Sequence, residues 1–198
     1  LHGRMRRSNY RVVLDACVLA NHGVCDLFLR LAERPRLYTA AWSNRILEET
    51  TRTQVTKLNW PPELADHWRG EVMRYFPEAL VDDASCLEPV LVNEAKDRHV
   101  LATAIRAGAP TIVTFNLRDF SSSSLEPWGI QVVHPADYLI TLHSIAPDVV
   151  VSKLAEMVRD RQSKTADLTP QAYLSKLARS VPGFAVHLAD SLGWTLDC

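Results

Sequence analysis

Carboxylate side chains lie at or near the ends of predicted elements in four separated parts of the chain. Asp15 ends a short β-branched run, and Asp119 follows the strongest predicted strand, three residues after Asn116. Glu49 lies in the helix that follows the second predicted strand. Asp97 lies in the first turn of the helix that precedes the strongest predicted strand. In an open parallel sheet, ligands bind beyond the carboxyl ends of the strands. This topology would allow the four acids to face one crevice.

Such a group of carboxylates needs a compensating charge. Two carboxylates about 4 Å apart repel by about 4 kcal/mol at an effective dielectric constant near 20. Either some of them keep a proton with a raised pKa, or a divalent cation neutralises them. An all-oxygen donor set without His or Cys favours a hard ion, Mg²⁺ or Mn²⁺, over zinc. The chemistry predicted is phosphodiester hydrolysis, because such an ion lowers the pKa of a bound water and orients it in line with the leaving oxygen.

Each acid also has a structural interpretation when it is considered alone. An aspartate after a strand is more often a turn residue or a helix cap than a ligand. Glu49 follows Glu48, and such a pair is typical of a solvated helix face. Asp97, at a helix start, complements the helix dipole, and Asp119 beside Arg118 fits a loop ion pair. The prediction of a site therefore depends on the four acids together.

Strand and helix patterns alternate from residue 11 to about residue 145, which predicts a three-layer, doubly wound parallel sheet of the α/β class. The predicted strands cover residues 11–15, 37–40, 79–81, 111–115 and 130–133. Helices are predicted over residues 18–33, 43–57, 62–75 and 93–107 and from Pro135, with a loop over 120–128. Beyond Pro147 only helices are predicted, over 149–161 and 170–180. We therefore predict an α/β domain over residues 8–146 and a helical extension over 147–198.

The composition is that of an ordinary folded domain. Of 198 residues, 47% are hydrophobic and 23% are charged, which excludes a disordered chain and a disulfide scaffold. The net charge of −1 excludes a chain-wide basic field for nucleic acid. A local basic rim remains available from Arg4, Arg6, Arg7, Arg11, Arg45, Arg52 and Lys57. The four cysteines form no CxxC pair, so we expect reduced thiols and a cytoplasmic protein. No apolar stretch approaches the roughly 20 residues of a membrane span, so we expect no membrane association.

The acids lie within four longer sequence segments. These are LDACVL (14–19), SNRILEE (43–49), KDRHVLATAI (96–105) and IVTFNLRDF (112–120). Over about residues 10–140 they resemble the PIN-domain family of metal-dependent nucleases, which includes the ribonuclease toxins of prokaryotic toxin–antitoxin pairs. The most specific part is the helix at Asp97 joined to the strand end Val113-Thr114-x-Asn116-x-x-Asp119.

The resemblance implies an Mg²⁺- or Mn²⁺-dependent endoribonuclease with an acidic metal site. The residues that it assigns to this site are Asp15, Glu49, Asp97 and Asp119, with Asn116 beside the metal. Glu49, six residues after Ser43, aligns better than Glu48, and it would either join the metal ligands or deprotonate the water. The family commonly has Asn or another hard polar residue at the position of Cys17. A thiol is a poor Mg²⁺ ligand, so we expect Cys17 to pack beneath the site.

The same resemblance implies an RNA substrate and, for a toxin, a protein antitoxin. Toxin-type members are mostly shorter, so residues 147–198 depart from that pattern. This extension could dock a partner, form a homodimer or cover the sheet. The alternative function is a catalytically silent module that binds RNA or a protein. Phosphate-receiver or phosphatase chemistry ranks last, since Ala16 and Cys17 follow Asp15 where a second acid would be needed.

The remaining polar side chains near the acids are assigned structural roles. His99, two positions after Asp97, is expected to point away from that face of the helix. Arg45 and Arg98 could touch a phosphate, but ordinary surface pairing is the simpler interpretation.

Overall fold

The computed structural model describes residues 10–163 and 165–196. Contacts divide the described chain into two compact units, one of residues 10–21 and 38–134 and one of residues 22–37 and 135–196. This division differs from the boundary predicted at residue 146. The reason is that the helix over His22–Ala32 packs on a C-terminal helix, Pro147–Gln162, rather than belonging to the first unit.

A four-stranded parallel sheet forms the centre of the first unit. Its strands are β1 (Arg11–Leu14), β2 (Thr39–Ala41), β3 (Thr111–Val113) and β4 (Gln131–Val133), in the order β2-β1-β3-β4. All three neighbouring pairs are parallel. The chain proceeds from β1 to β2 on one side and from β3 to β4 on the other, so the strand order reverses between β1 and β3. The predicted α/β class with a doubly wound parallel sheet is confirmed, and the reversal marks where such a sheet binds ligands.

The residues of the central strands explain why they pair there. Val12, Val13 and Leu14 of β1 are completely buried, and so is every residue of β3. Uninterrupted runs of buried, mostly β-branched residues are typical of parallel strands that are covered on both faces.

Ten helices occur among the described residues. They are α1 (Ala16–Leu19), α2 (His22–Ala32), α3 (Asn44–Thr56), α4 (Pro62–Tyr75), α5 (Arg98–Ala107), α6 (Ser122–Leu125), α7 (Pro135–Ile145), α8 (Pro147–Gln162), α9 (Pro170–Leu177) and α10 (Pro182–Leu192). Ser43 caps α3, since its Oγ accepts a hydrogen bond from the amide of Ile46 at 3.3 Å. Gly108 ends α5 in the left-handed conformation, with φ of 62°. Because α5 packs on β1, β2 and β3 and also contacts α3, its first residues lie at a fixed place on the sheet.

Several predicted elements differ from the structure in the first unit. Residues 79–81, predicted as a strand, form the end of a 3-10 turn (Pro77–Ala79) and a single bridge between Trp42 and Leu80. The helix predicted over 93–107 begins only at Arg98, after a 3-10 turn over Ala95–Asp97. In both places a short apolar or charged run carried too little periodicity to define the element.

The segment predicted as a loop over residues 120–128 contains α6 and a 3-10 turn, Glu126–Trp128. A serine side chain bonds to the local backbone here, because Ser124 Oγ donates to the carbonyl of Ser121 at 2.6 Å. The helix predicted over 18–33 is divided into α1 and α2, and α10 was not predicted.

The second unit consists of α2 and α7–α10. An ion-pair network joins α2 to α8, in which Arg30 contacts Asp26 at 2.7 Å and Asp160 at 2.6 Å. Arg161 extends it, pairing with Asp26 at 2.7 Å and lying over the ring of Tyr173 in α9. The two helices predicted after Pro147 correspond to α8 and α9. No helix among the described residues is long and apolar enough to cross a membrane.

Replacement of Ile112 by alanine tests the central position of β3. Ile112 is completely buried, so we expect Ile112→Ala to lower the free energy of unfolding by about 2–5 kcal/mol, through lost burial and a residual cavity. Urea unfolding followed by circular dichroism measures the change. Val92→Ala is the control, since Val92 is 72% exposed and should change stability by about 0.5 kcal/mol or less. Equal effects of the two substitutions would contradict this placement of the core.

Candidate functional site

Asp15 is fixed at the point where the strand order reverses. It follows β1 directly and is 4% exposed. The hydroxyl of Thr114, just past β3, donates to Oδ2 of Asp15 at 2.6 Å, and the amide of Ala16 donates to Oδ1 at 2.6 Å. The second contact makes Asp15 the cap of α1, as its structural interpretation suggested. The hydrogen bond from Thr114 adds a tie between the ends of β1 and β3, which orients this carboxylate.

Asp97 precedes α5 and is also buried, with 9% of its surface exposed. Its side chain makes no capping hydrogen bond to the helix. Among the described residues, none makes a hydrogen bond to its buried Oδ2 atom. The pKa of Asp97 is raised to about 6, first by burial and then by the charges of Asp119 and Asp15, which together outweigh the opposing effect of Lys96. The structure therefore places a carboxylate here whose negative charge is poorly compensated.

Asp119 lies on a 3-10 turn, Leu117–Asp119, shortly after β3. The nearby carboxyl group of Asp119 contributes to the raised pKa of Asp97. Lys96 Nζ lies 2.9 Å from Oδ2 of Asp119 and 3.7 Å from Oδ2 of Asp97. Asp15 and Asp119 are thus near enough to Asp97 for their charges to raise its pKa, and Lys96 takes the pairing role that the sequence suggested for Arg118.

Glu49 is placed differently from the three aspartates. It lies on α3, where Oε2 is 3.2 Å from Nε2 of His99, and Oε1 is 3.9 Å from Arg45 and 3.8 Å from Arg52. Burial would raise the pKa of Glu49, but His99, Arg45 and Arg52 outweigh it and lower the pKa. Its closest charged neighbours are therefore cations. Glu48 is exposed and lies 3.7 Å from Arg69, so Glu49 is the one of the pair that faces α5.

Asn116 shapes the turn after β3 through its backbone. Its amide donates to Thr114 Oγ1 at 3.0 Å, and its carbonyl accepts from the amide of Asp119 at 3.2 Å. The residue is exposed. The assignment of its side chain to a position beside a metal remains a prediction.

Two side chains near the acids have contacts that the sequence did not reveal. His99 is 4% exposed and contacts Glu49 on the neighbouring helix, a partner that the sequence did not name. Thr114 orients Asp15 although it was noted only as part of a motif. The role of Thr114 could have been suspected from the sequence, because this threonine stands two residues before the polar turn residue Asn116. The contact between His99 and Glu49 could not, because it depends on how α3 and α5 pack.

Cys17 packs against the carboxylate of Asp15. Its Sγ lies 3.2 Å from Oδ2 of Asp15 and 3.3 Å from Oγ1 of Thr114. Burial, followed by the charge of Asp15, raises the pKa of Cys17 to about 12. The thiol is therefore protonated at neutral pH and donates to Asp15, which makes it a support for the carboxylate.

The aspartates offer the type of donor atom that a hard divalent cation prefers. Three carboxylates provide oxygen donors and excess negative charge, and the buried Oδ2 of Asp97 has no hydrogen-bond partner in the described structure. These features fit Mg²⁺ or Mn²⁺ in donor type and charge. Over residues 10–163 and 165–196, however, no three Asp, Glu, His or Cys side chains are arranged to hold one metal ion. Binding would therefore require side-chain movement.

A comparison with known proteins supports the family suggested by the motifs. The chain is 38% identical over 96 residues to "Putative ribonuclease VapC50" of Mycobacterium tuberculosis. The matched region covers 47% of this chain and 54% of that protein, so it spans about half of each. No family model matches the chain, and no solved structure matches it. Together with the parallel sheet, the sequence match confirms the resemblance to the PIN-domain nuclease family.

The raised pKa of Asp97 predicts a stabilising effect of Asp97→Asn in metal-free protein. Because the folded-state pKa of about 6 exceeds the ordinary value of 3.8, the folded state binds more protons between these values. Stability from this group is therefore present below about pH 4 and is lost as the pH rises through 6. We expect Asp97→Asn to raise the free energy of unfolding by about 1–2 kcal/mol at pH 7.5 and to leave it unchanged at pH 4.

Urea unfolding in EDTA at the two pH values measures this difference. Asp66→Asn is the matched control, because Asp66 is exposed on α4. A destabilised Asp97→Asn variant at pH 7.5 would show that the ionised carboxylate is satisfied in the native protein.

Proposed function

We propose that this protein is an Mg²⁺- or Mn²⁺-dependent endoribonuclease of the PIN type. The observation that carries the proposal is the buried Oδ2 of Asp97, which lacks a hydrogen-bond partner in the described structure and lies with Asp15 and Asp119 at the strand-order reversal. The similarity to a protein named as a ribonuclease supports RNA as the substrate. A role in binding alone would not need three mutually repelling carboxylates in one place.

Asp15, Asp97 and Asp119 are the residues that would hold the divalent ion, with the side chain of Asn116 beside it. When bound, such an ion lowers the pKa of water and stabilises negative charge on the phosphate. Thr114 and the amide of Ala16 hold the Asp15 carboxylate in place, so that it is oriented before substrate arrives. Cys17 supports the same carboxylate from below without offering a thiolate.

The family pattern assigns Glu49 to the metal site, where it would join the ligands or deprotonate the water, and its contacts suggest a second role. Its lowered pKa keeps it ionised at neutral pH. It lies between His99, which is buried, and the more exposed Arg45 and Arg52. Glu49 would orient these two arginines for the RNA backbone, where cationic side chains supply most of the sequence-independent affinity.

The family resemblance extends the proposal to biological context. A toxin of a toxin–antitoxin pair would act on cellular RNA in the cytoplasm and would bind a protein antitoxin. A homodimer is the other assembly that the helices after residue 147 could form, since this extension could serve as a dimer element or dock a partner.

Cleavage of RNA tests the activity directly. We expect the wild-type protein to cut total RNA in Mg²⁺ or Mn²⁺ and to lose the activity in EDTA. Asp97→Asn should lower the rate about 100-fold or more, because several kcal/mol of charge stabilisation are removed. Asp66→Asn is the control on an exposed helix face and should cleave as the wild type does. Full activity of Asp97→Asn, or cleavage that continues in EDTA, would refute the proposal.

Thermal unfolding tests metal binding independently of cleavage. Millimolar Mn²⁺ should raise the melting temperature of the wild type, since an ion that binds only the native state adds about 2.7 kcal/mol at 100 times its Kd. Asp97→Asn should show a smaller increase, and NaCl at matched ionic strength serves as the control. A wild-type melting curve that is unchanged by Mn²⁺ would favour the silent RNA- or protein-binding module instead.

A further inference from the structure

We propose that Lys96 is a built-in counter-ion of the aspartate group, and that a divalent cation must displace its ammonium in order to bind. This inference rests on the proposed function, because it concerns the metal that the aspartates would hold.

The position of the ammonium carries the proposal. Lys96 Nζ donates a hydrogen bond to Oδ2 of Asp119 at 2.9 Å and lies 3.7 Å from Oδ2 of Asp97. These are carboxylate oxygens of two of the three residues assigned to the metal. The ammonium therefore occupies the position at which a cation would neutralise both groups.

The ammonium and a divalent cation cannot share these oxygens. Mg²⁺ approaches carboxylate oxygens at about 2.0–2.1 Å, so it would lie within a few ångströms of Nζ if Lys96 stayed in place. Two positive ions at that separation repel, and this repulsion weakens metal binding for as long as the lysine remains.

Lys96 is able to leave this position. Its side chain is 66% exposed, so the ammonium reaches the aspartates from solvent. The flexible four-carbon stem permits a swing into water without movement of the backbone.

Metal affinity in the absence of RNA measures the competition. Isothermal titration with Mn²⁺ at pH 7.5 compares the wild type with Lys96→Met, which removes the ammonium but keeps a flexible side chain of similar length. We expect Lys96→Met to bind Mn²⁺ about five- to tenfold more tightly, the effect of one charge at about 4 Å near solvent. Lys96→Arg keeps the charge and should bind as weakly as the wild type.

Lys57→Met is the matched control, since Lys57 is an exposed lysine at the end of α3 and its loss changes the net charge equally. Equal tightening in Lys57→Met would reveal a general charge effect and would overturn the role of Lys96. If the wild type binds Mn²⁺ and Lys96→Met binds it no more tightly, the inference fails while the proposed function stands. If neither protein binds Mn²⁺, both fail.

Discussion

Electrostatic repulsion among three aspartates at the reversal of strand order is the constraint on which the functional part of this structure depends. Each aspartate comes from a different segment, and the sheet and α5 bring the three segments together. Asp97 bears most of the cost, because it is buried while its Oδ2 receives no hydrogen bond from any described residue. A fold selected for stability alone would place a neutral or apolar side chain there.

The surrounding residues reduce this cost unequally. Asp15 accepts hydrogen bonds from Thr114 and from the amide of Ala16, so its carboxylate is well satisfied. Asp119 pairs with Lys96 at the surface. Asp97 receives only a longer contact of 3.7 Å from that lysine, and its pKa is raised accordingly. This gradient, from a satisfied carboxylate to an unsatisfied one, fits the divalent-cation site that we propose.

Glu49 illustrates how a family pattern and a geometry complement each other. The pattern assigned it to the metal, and the structure surrounds it with His99, Arg45 and Arg52. The negative charge of Glu49 therefore holds the positive charges of Arg45 and Arg52 on the surface of α3, which contacts α5. Under the proposed function, both assignments would serve phosphate recognition, one through a metal and one through arginines.

The sequence by itself determined the α/β class, the parallel sheet and the segments that carry the acids, because buried β-branched runs and helical spacing are local properties. It also located Cys17 beneath Asp15, since the two are separated by only one residue. Tertiary structure alone decided that Asp15, Asp97 and Asp119 converge while Glu49 pairs with His99, and that His22–Ala32 packs with the C-terminal helices. Those outcomes depend on which helix faces meet and on where solvent is excluded. Neither is encoded in the spacing of residues along a single segment.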